Sequence, residues 1–331
     1  MKILIAGGAG FIGSTIASAC FDADITPIVV DNLLTGRREF VKERFFYEGD
    51  IADHGLIDRV FKDHPDIHSA ILCAAVANVP DSVRNPVDYY RNNVSKSLRF
   101  IEQLVALGCH RLIFSSSASI YRSNETGSVD ENASIEPLSP YARTKAISEW
   151  MFADIARSGP LRVLSLRYFN PIGADPKLRT GYQLSRPTHA VARMIEAAEL
   201  GTAFPITGTD YPTRDGSAIR DYVHVWDVAR AHVLALSKFD ELVTNESSYE
   251  VINLGADRGT TVKELLAAFN EVSSVQIKGI EMPRREGDVA GTYASCEKAR
   301  RLLEWIPNHS LADGIKDSLR WAEFKHNVLE D

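Results

Sequence analysis

Residues 1–13 read MKILIAGGAGFIG, a short apolar run followed by Gly7, Gly10 and Gly13 at intervals of three. The run has the length and branched side chains of a buried strand, and FIGSTIASACF after it has a helical pattern. Glycines at such a junction let the chain turn tightly. They also let backbone N–H groups approach a pyrophosphate lying on the helix N-terminus. The spacing gains weight from its context, because Asp31 closes the next apolar run, ITPIVVD, at about the twenty-residue offset of a ribose-binding acid. Gly7, Gly10, Phe11, Ile12 and Gly13 are therefore expected around a pyrophosphate, with Asp31 and its neighbour Asn32 at the adenosine ribose. An acid there repels a 2′-phosphate, so NAD is favoured over NADP. Asp50 and Ile51, in EGDI after the third apolar run, are placed for the adenine.

Working outward, KILIAGG, ITPIVVD, FFYEGDI, SAILCAA, RLIFSSS and LRVLSLRYFN read as strands, several of them apolar throughout. That is how buried strands of a parallel sheet look. Helical patterns lie between them, the longest being PVDYYRNNVSKSLRFIEQLVALG with Gly108 at its end. Repeated strand–helix alternation predicts an α/β fold, a Rossmann-type doubly wound parallel sheet with right-handed crossovers. After RYFNPIGADP the texture changes to a loop rich in Pro, Gly and basic residues. Further helical patterns follow in THAVARMIEAAELG, VWDVARAHVLALSKF, VKELLAAFNEV and CEKARRLLEW, with a strand-like run in YEVINLGA. The expected division is a nucleotide-binding domain over 1–170, joined again by about 223–254. A smaller C-terminal mixed α/β substrate domain takes 171–222 and 255–331.

Composition excludes several classes. The 331 residues are 45% hydrophobic and 24% charged, with a formal net charge of −7, which argues against a nucleic-acid-binding surface. Cys20, Cys73, Cys109 and Cys296 are far apart with no CxxC, and the histidines form no HExxH, so neither a disulfide framework nor a metal is expected. No segment has the apolar length of a membrane span, and the glycine-ended N-terminal run does not resemble a secretory signal. A cytoplasmic protein is the simplest expectation.

Two motifs carry chemistry. SSSASIY follows the fifth strand and places Ser115, Ser116 and Ser117 at the carboxyl edge of the sheet, where ligands of open α/β sheets bind. LSPYARTKAISEW, residues 138–150, offers Ser139 as a helix N-cap and Pro140 in the first turn. Tyr141 and Lys145 then fall four apart on one helix face.

Taken together, the glycine spacing, SSSASIY, Tyr141-x-x-x-Lys145 and RYFNPIGA resemble the extended short-chain dehydrogenase/reductase superfamily. DYPTRDGSAIRDYVHVWDVARAHVLAL and PRREGD further resemble the UDP-glucose (UDP-galactose) 4-epimerases, in the family's motif order over nearly the whole chain. The resemblance implies tightly bound NAD+, a UDP-sugar substrate, and inversion at C4 through a transient 4-keto sugar. It implies Tyr141 as the base, Lys145 as the ammonium that favours its phenolate, and Ser117 on the sugar O4. A tyrosine with an ordinary pKa near 10 is otherwise a poor base at neutral pH. By the same likeness Asn93, Ser115 and Phe169 lie on the cofactor side. Asn170, His189, Arg220, Tyr222, Arg285 and Asp288 hold the nucleotide sugar, and a homodimer pairs helices around 90–107 and 141–156.

Four departures from the family pattern stand out. Arg122 follows SSSASIY where glycine is common, and LCAAVANVPDSV puts Cys73 and Ala77 at cofactor-contact positions. His189 takes the place of a uracil-side asparagine. Thr292 stands where members confined to glucose and galactose carry a bulky aromatic, which implies acceptance of N-acetyl sugars as well. The rivals are a UDP-pentose or UDP-uronate epimerase, a reductase or a dehydratase, and a non-catalytic NAD sensor. A dehydratase is disfavoured by the lack of an acid pair in the serine run.

Overall fold

The structure, a computed structural model, describes residues 1–123, 127–284 and 289–329. Its main sheet has seven parallel strands: β1 (Lys2–Ala6), β2 (Thr26–Asp31), β3 (Phe45–Glu48), β4 (Ile67–Leu72), β5 (Arg111–Ser117), β6 (Arg162–Tyr168) and β7 (Tyr249–Leu254). Their spatial order is β7-β6-β5-β4-β1-β2-β3, so the chain winds one way from β1, returns, and winds the other way. The reversal falls between β1 and β4, and a crevice opens beyond the carboxyl ends of strands at such a point. The unbroken apolar runs have a simple cause, since both faces of the sheet are covered. Ile3 and Ile5 enter one core with Val29, Ile113 and Leu164, while Leu4 enters the other with Ile28, Leu112 and Val163.

YEVINL forms β7, in parallel register with β6 from Tyr249↔Val163 to Leu254↔Tyr168. The helices that matter for the site are α1 (Phe11–Asp22), α2 (Pro140–Ser158), α3 (Ala190–Leu200), α4 (Val225–Ser237) and α5 (Leu311–Phe324). As its sequence predicts, α2 begins at Ser139, whose hydroxyl accepts the Ala142 N–H at 3.2 Å, with Pro140 in the first turn. Residues beyond 170 contribute a third core, with Val191, Met194 and Ile195 of α3 packed with Phe204, Ile206, Leu265, Phe269 and Ile315. Among the described residues no helix is long and apolar enough to cross a membrane, and no group of His, Cys, Asp or Glu is arranged to hold a metal.

The long helix expected from Pro86 onward is not uniform. Pro86–Tyr90 leads into a π-helical turn, Arg91–Ser95, before the α-helix resumes over Lys96–Ala106. The Asn93 carbonyl accepts from the hydroxyls of Ser97 (2.8 Å) and Ser148 (3.2 Å), side-chain competition of the kind that widens a helical turn.

Candidate active site

The three loop glycines do different work. Gly7 has φ +83°, and a Cβ on it would lie 2.5 Å from the Ala74 backbone. A Cβ on Gly13 would lie 2.1 Å from the Gly7 carbonyl oxygen. These two bring strand and helix together. At Gly10 the corresponding position is open, with Gly7 O, at 3.9 Å, the nearest atom. That leaves a cradle beside the start of α1, which no side chain caps, and the residues there fit a pyrophosphate. Phe11 is buried and Ile12 half-buried behind it.

Asp31 ends β2 and accepts the Ala9 N–H at 2.9 Å and the Leu33 N–H at 2.8 Å. Both bonds fix the carboxylate and leave each oxygen further accepting capacity for ribose hydroxyls. Burial pushes its pKa up and the two N–H donors pull it back. Asn32 is exposed, its side chain accepting the Leu34 N–H at 3.1 Å. Asp50 accepts from the Ala52 N–H at 3.0 Å and pairs with Lys96 at 2.6 Å, beside the buried Ile51. The set fits a dinucleotide carrying an unphosphorylated ribose.

Across the crevice, β4 and β5 meet α2. Lys145 Nζ donates to the Ser115 carbonyl at 2.7 Å and lies 4.9 Å from the Phe114 ring centroid. Cys73 Sγ is 3.1 Å from Ser115 Oγ. Tyr141, one turn before Lys145, lies close enough to Ser117 for that side chain to lower its phenol, and the Ser117 hydroxyl donates to Ser119 Oγ at 2.9 Å. The structure therefore brings Ser115, Ser117, Tyr141, Lys145 and Cys73 to one point. Burial pushes the Lys145 ammonium down to about 8, while Cys73 and Glu149 pull it up. Burial also raises the Tyr141 phenol, offset by the Ser117 side chain. Within the protein alone the Lys145 ammonium is turned to the Ser115 carbonyl, and burial is what raises the phenol.

Other residues stand differently from their sequence reading. Asn93 has its amide engaged within the protein, accepting from Val76 N–H at 2.8 Å and donating to Val76 O at 3.0 Å and Thr144 Oγ1 at 3.1 Å. It ties the loop after β4 to α2 from its π-helical turn. Phe169 is buried, its ring stacked on Tyr121 with centroids 6.5 Å apart, so it floors the site from the core. Tyr222 is likewise buried in the third core, where burial pushes its phenol up to about 12. Ala77 is exposed on its loop, and Arg122 points away to Glu136 at 3.2 Å.

Asn170 and Arg220 flank Asp221, and the Asn170 N–H donates to the Asp221 carbonyl at 2.9 Å. One Arg220 Nη donates to the Ile219 carbonyl at 2.7 Å, next to Gly291 and the half-buried Thr292. His189 packs edge-on between Phe11 and Tyr182, with burial pushing it down to about 4, so it is neutral. Arg285 and Asp288 lie outside the described residues. Three of the buried charges that went unread in the sequence bear on this site. Glu149 and Arg167 pair behind the serine run, and Asp221 accepts from Ala256 N–H (2.6 Å) and Ala294 N–H (2.9 Å). A signal existed for Glu149, which continues the Tyr141, Lys145 spacing by four.

The chain belongs to the NAD dependent epimerase/dehydratase family, whose profile matches residues 3–255. Within that class its relatives are UDP-glucose 4-epimerases. The enzyme of Rhizobium leguminosarum bv. trifolii is 40% identical over 322 residues, 96% of each chain. The structure of UDP-glucose 4-epimerase from Stenotrophomonas maltophila, with bound NAD and formylated UDP-arabinopyranose, superposes with a TM-score of 0.93 at 32% identity, covering 99% of this chain and 100% of that one. The Bifidobacterium longum enzyme in complex with NAD+ and UDP gives 0.92 at 29% identity, with the same coverage.

Proposed function

We infer that this chain catalyses NAD-dependent C4 epimerisation of a UDP-hexose, interconverting UDP-glucose and UDP-galactose. The observation that carries the reading is the meeting of Ser117, Tyr141 and Lys145 at the carboxyl edge of the sheet, across from the Gly10 cradle. Bound NAD+ supplies a hydride acceptor that returns the hydride, and its positive ring favours a nearby phenolate. The Tyr141 oxygen takes the proton from the sugar O4 as C4 becomes a ketone, with Ser117 orienting that oxygen. Lys145 adds the positive charge that keeps the phenolate ionised. After the 4-keto sugar turns over in the site, the same tyrosine returns the proton and the opposite C4 configuration results.

Gly7, Gly10 and Gly13 shape the pyrophosphate cradle, Asp31 and Asn32 serve the ribose, and Asp50 serves the adenine. Asn170, Arg220, Arg285 and Asp288 are assigned to the UDP, an arginine fork suiting a diphosphate. The small Thr292 supports turnover of UDP-GlcNAc and UDP-GalNAc too. The separate core of α3, Phe204 and Phe269 supports a UDP-sugar unit over 171–222 and 255–331, distinct from an NAD unit over 1–170 and about 223–254. Trp150, 53% exposed on α2, supports a homodimer through the helices around 90–107 and 141–156.

The test is to incubate the purified protein with UDP-galactose and no added cofactor, and to follow UDP-glucose. Conversion is expected. A requirement for added NAD(P)H points to a reductase, and no conversion even with NAD brings forward the UDP-pentoses and UDP-uronates.

A further inference from the structure

Behind the serine run lies a charged network that the mechanism above does not use. Glu149 is one turn beyond Lys145 on α2 and 2% exposed. Its carboxylate accepts the Ser116 hydroxyl, and Arg167 of β6 grips it through Nε at 2.9 Å and Nη2 at 2.5 Å. Arg167 is also tied to the Tyr121 hydroxyl at 2.8 Å, which donates to Asn253 of β7 at 2.7 Å. Ser116 sits between the two residues that meet the catalytic pair, since Ser115 gives its carbonyl to Lys145 and the Ser117 side chain lies beside Tyr141. A clamp on Ser116 thus fixes the position of both neighbours relative to α2.

We propose that Glu149 is a positioning residue for the Tyr141–Lys145 pair, clamping the end of β5 to α2 through Ser116 and supplying the counter-charge to the Lys145 ammonium, with Arg167 limiting how much of that charge Lys145 feels. This rests on the epimerase reading. Among the described residues, the titratable groups that act on Lys145 are Cys73, from the end of β4, and Glu149, from its own helix, with Tyr168 of β6 beside Cys73 and Tyr141. Of these, Glu149 is the carboxylate. Burial has already brought the ammonium down to about 8, so the enzyme depends on that negative charge to keep Lys145 protonated at working pH. A buried ion pair also leaves a costly lone charge when one partner goes, so the double variant matters for the test.

The experiment measures UDP-galactose conversion from pH 6 to 10 by the parent enzyme, Glu149→Gln, Glu149→Asp, Ser116→Ala and the double variant Glu149→Gln/Arg167→Met. In Glu149→Gln, kcat is expected to fall by about tenfold, with KM changed less than about twofold. Its alkaline limb is expected to move about one unit to lower pH, because Lys145 then loses its proton sooner. Glu149→Asp restores the limb. The double variant, which buries no lone charge, keeps the limb low. Ser116→Ala lowers kcat and leaves the limb in place, because it breaks the clamp without touching the charge. A folded Glu149→Gln or double variant with the parent's alkaline limb overturns the proposal, and so does a loss confined to KM or an unchanged kcat in Ser116→Ala. A parent enzyme that converts no UDP-galactose instead refutes the functional reading, which separates the two failures.

Discussion

The corner proposed for catalysis and the side proposed for the nucleotide sugar are held by opposite means. At the corner, Ser117, Tyr141 and Lys145 hang from a seven-residue strand and a nineteen-residue helix. Those elements are locked by a buried ion pair, Glu149 with Arg167. On the other side, Asn170, Arg220 and Thr292 sit on or beside the short strands Asn170–Ile172, Ile219–Arg220 and Tyr293–Ala294. What draws those pieces together is Asp221, fully buried, accepting backbone N–H groups and in no ion pair among the described residues. A corner built on long elements holds reacting atoms in register. A side built on short strands around one acid can change its side chains without disturbing the chemistry. On the proposed roles, reaction type and substrate choice are separable in this molecule.

Three substitutions can break or sharpen that contrast. The largest effect is expected of Tyr141→Phe, which removes the proton acceptor and keeps the ring. Turnover of UDP-galactose should drop by about three orders of magnitude, with UDP affinity and bound NAD unchanged. Steady-state kinetics with UDP titration and NAD content after denaturation check this. A variant retaining a tenth of parental activity means that another group moves the proton.

The same contrast governs how far the amino-acid order could be read. Local rules placed the pieces of the corner, and the family likeness gave them their roles. Glycine spacing beside an apolar run, a Ser-Pro helix start and a tyrosine four before a lysine are each set by neighbours in the chain, and the structure places them together at the crevice. What local rules missed depended on distant partners. The π-helical turn at Asn93 follows from hydroxyls on α2 and its own helix, and Arg167 reads as one more residue of a strand until Glu149 is set against it. Phe169 and Tyr222 sit inside motifs of the family likeness, yet their rings turn inward because the cores behind them need filling. Helix α5 could have been found. Ser310 and Asp313 form a capping box just ahead of its apolar pattern.

A smaller effect, confined to one class of substrate, is expected of Thr292→Tyr. A ring at that half-buried position takes up the room for a 2-acetamido group. Turnover of UDP-GlcNAc should fall about tenfold while UDP-galactose is converted as before. Competition between the two substrates in one reaction reads the ratio directly. Equal losses on both mean that Thr292 supports the fold of the Gly291 turn, whose φ of +100° already constrains it, and does not select the sugar.

The smallest effect on turnover is expected of Asp221→Asn, and it tests the other half of the contrast. Burial pushes the Asp221 carboxyl from its ordinary value of 3.8 up to about 7, against the pull of the Ala256 and Ala294 N–H donors. The folded protein thus binds this proton more tightly than the unfolded chain does. The resulting stability is fully present below about pH 4 and is lost as pH rises through about 7, which is on the order of 4 kcal/mol. Asparagine has the same shape and no such proton, so that part of the pH dependence should vanish. One of the two N–H groups then faces an amide donor in place of an oxygen, which loosens the segment carrying Thr292. KM for UDP-galactose should rise by about threefold while kcat holds, because nothing at the corner leans on Asp221. Urea unfolding of parent and variant at pH 5 and pH 8 gives the slope, and steady-state kinetics gives the split. An unchanged slope removes the lone-acid account of how this side is held, and a loss in kcat instead of KM shows that the two sides are coupled after all.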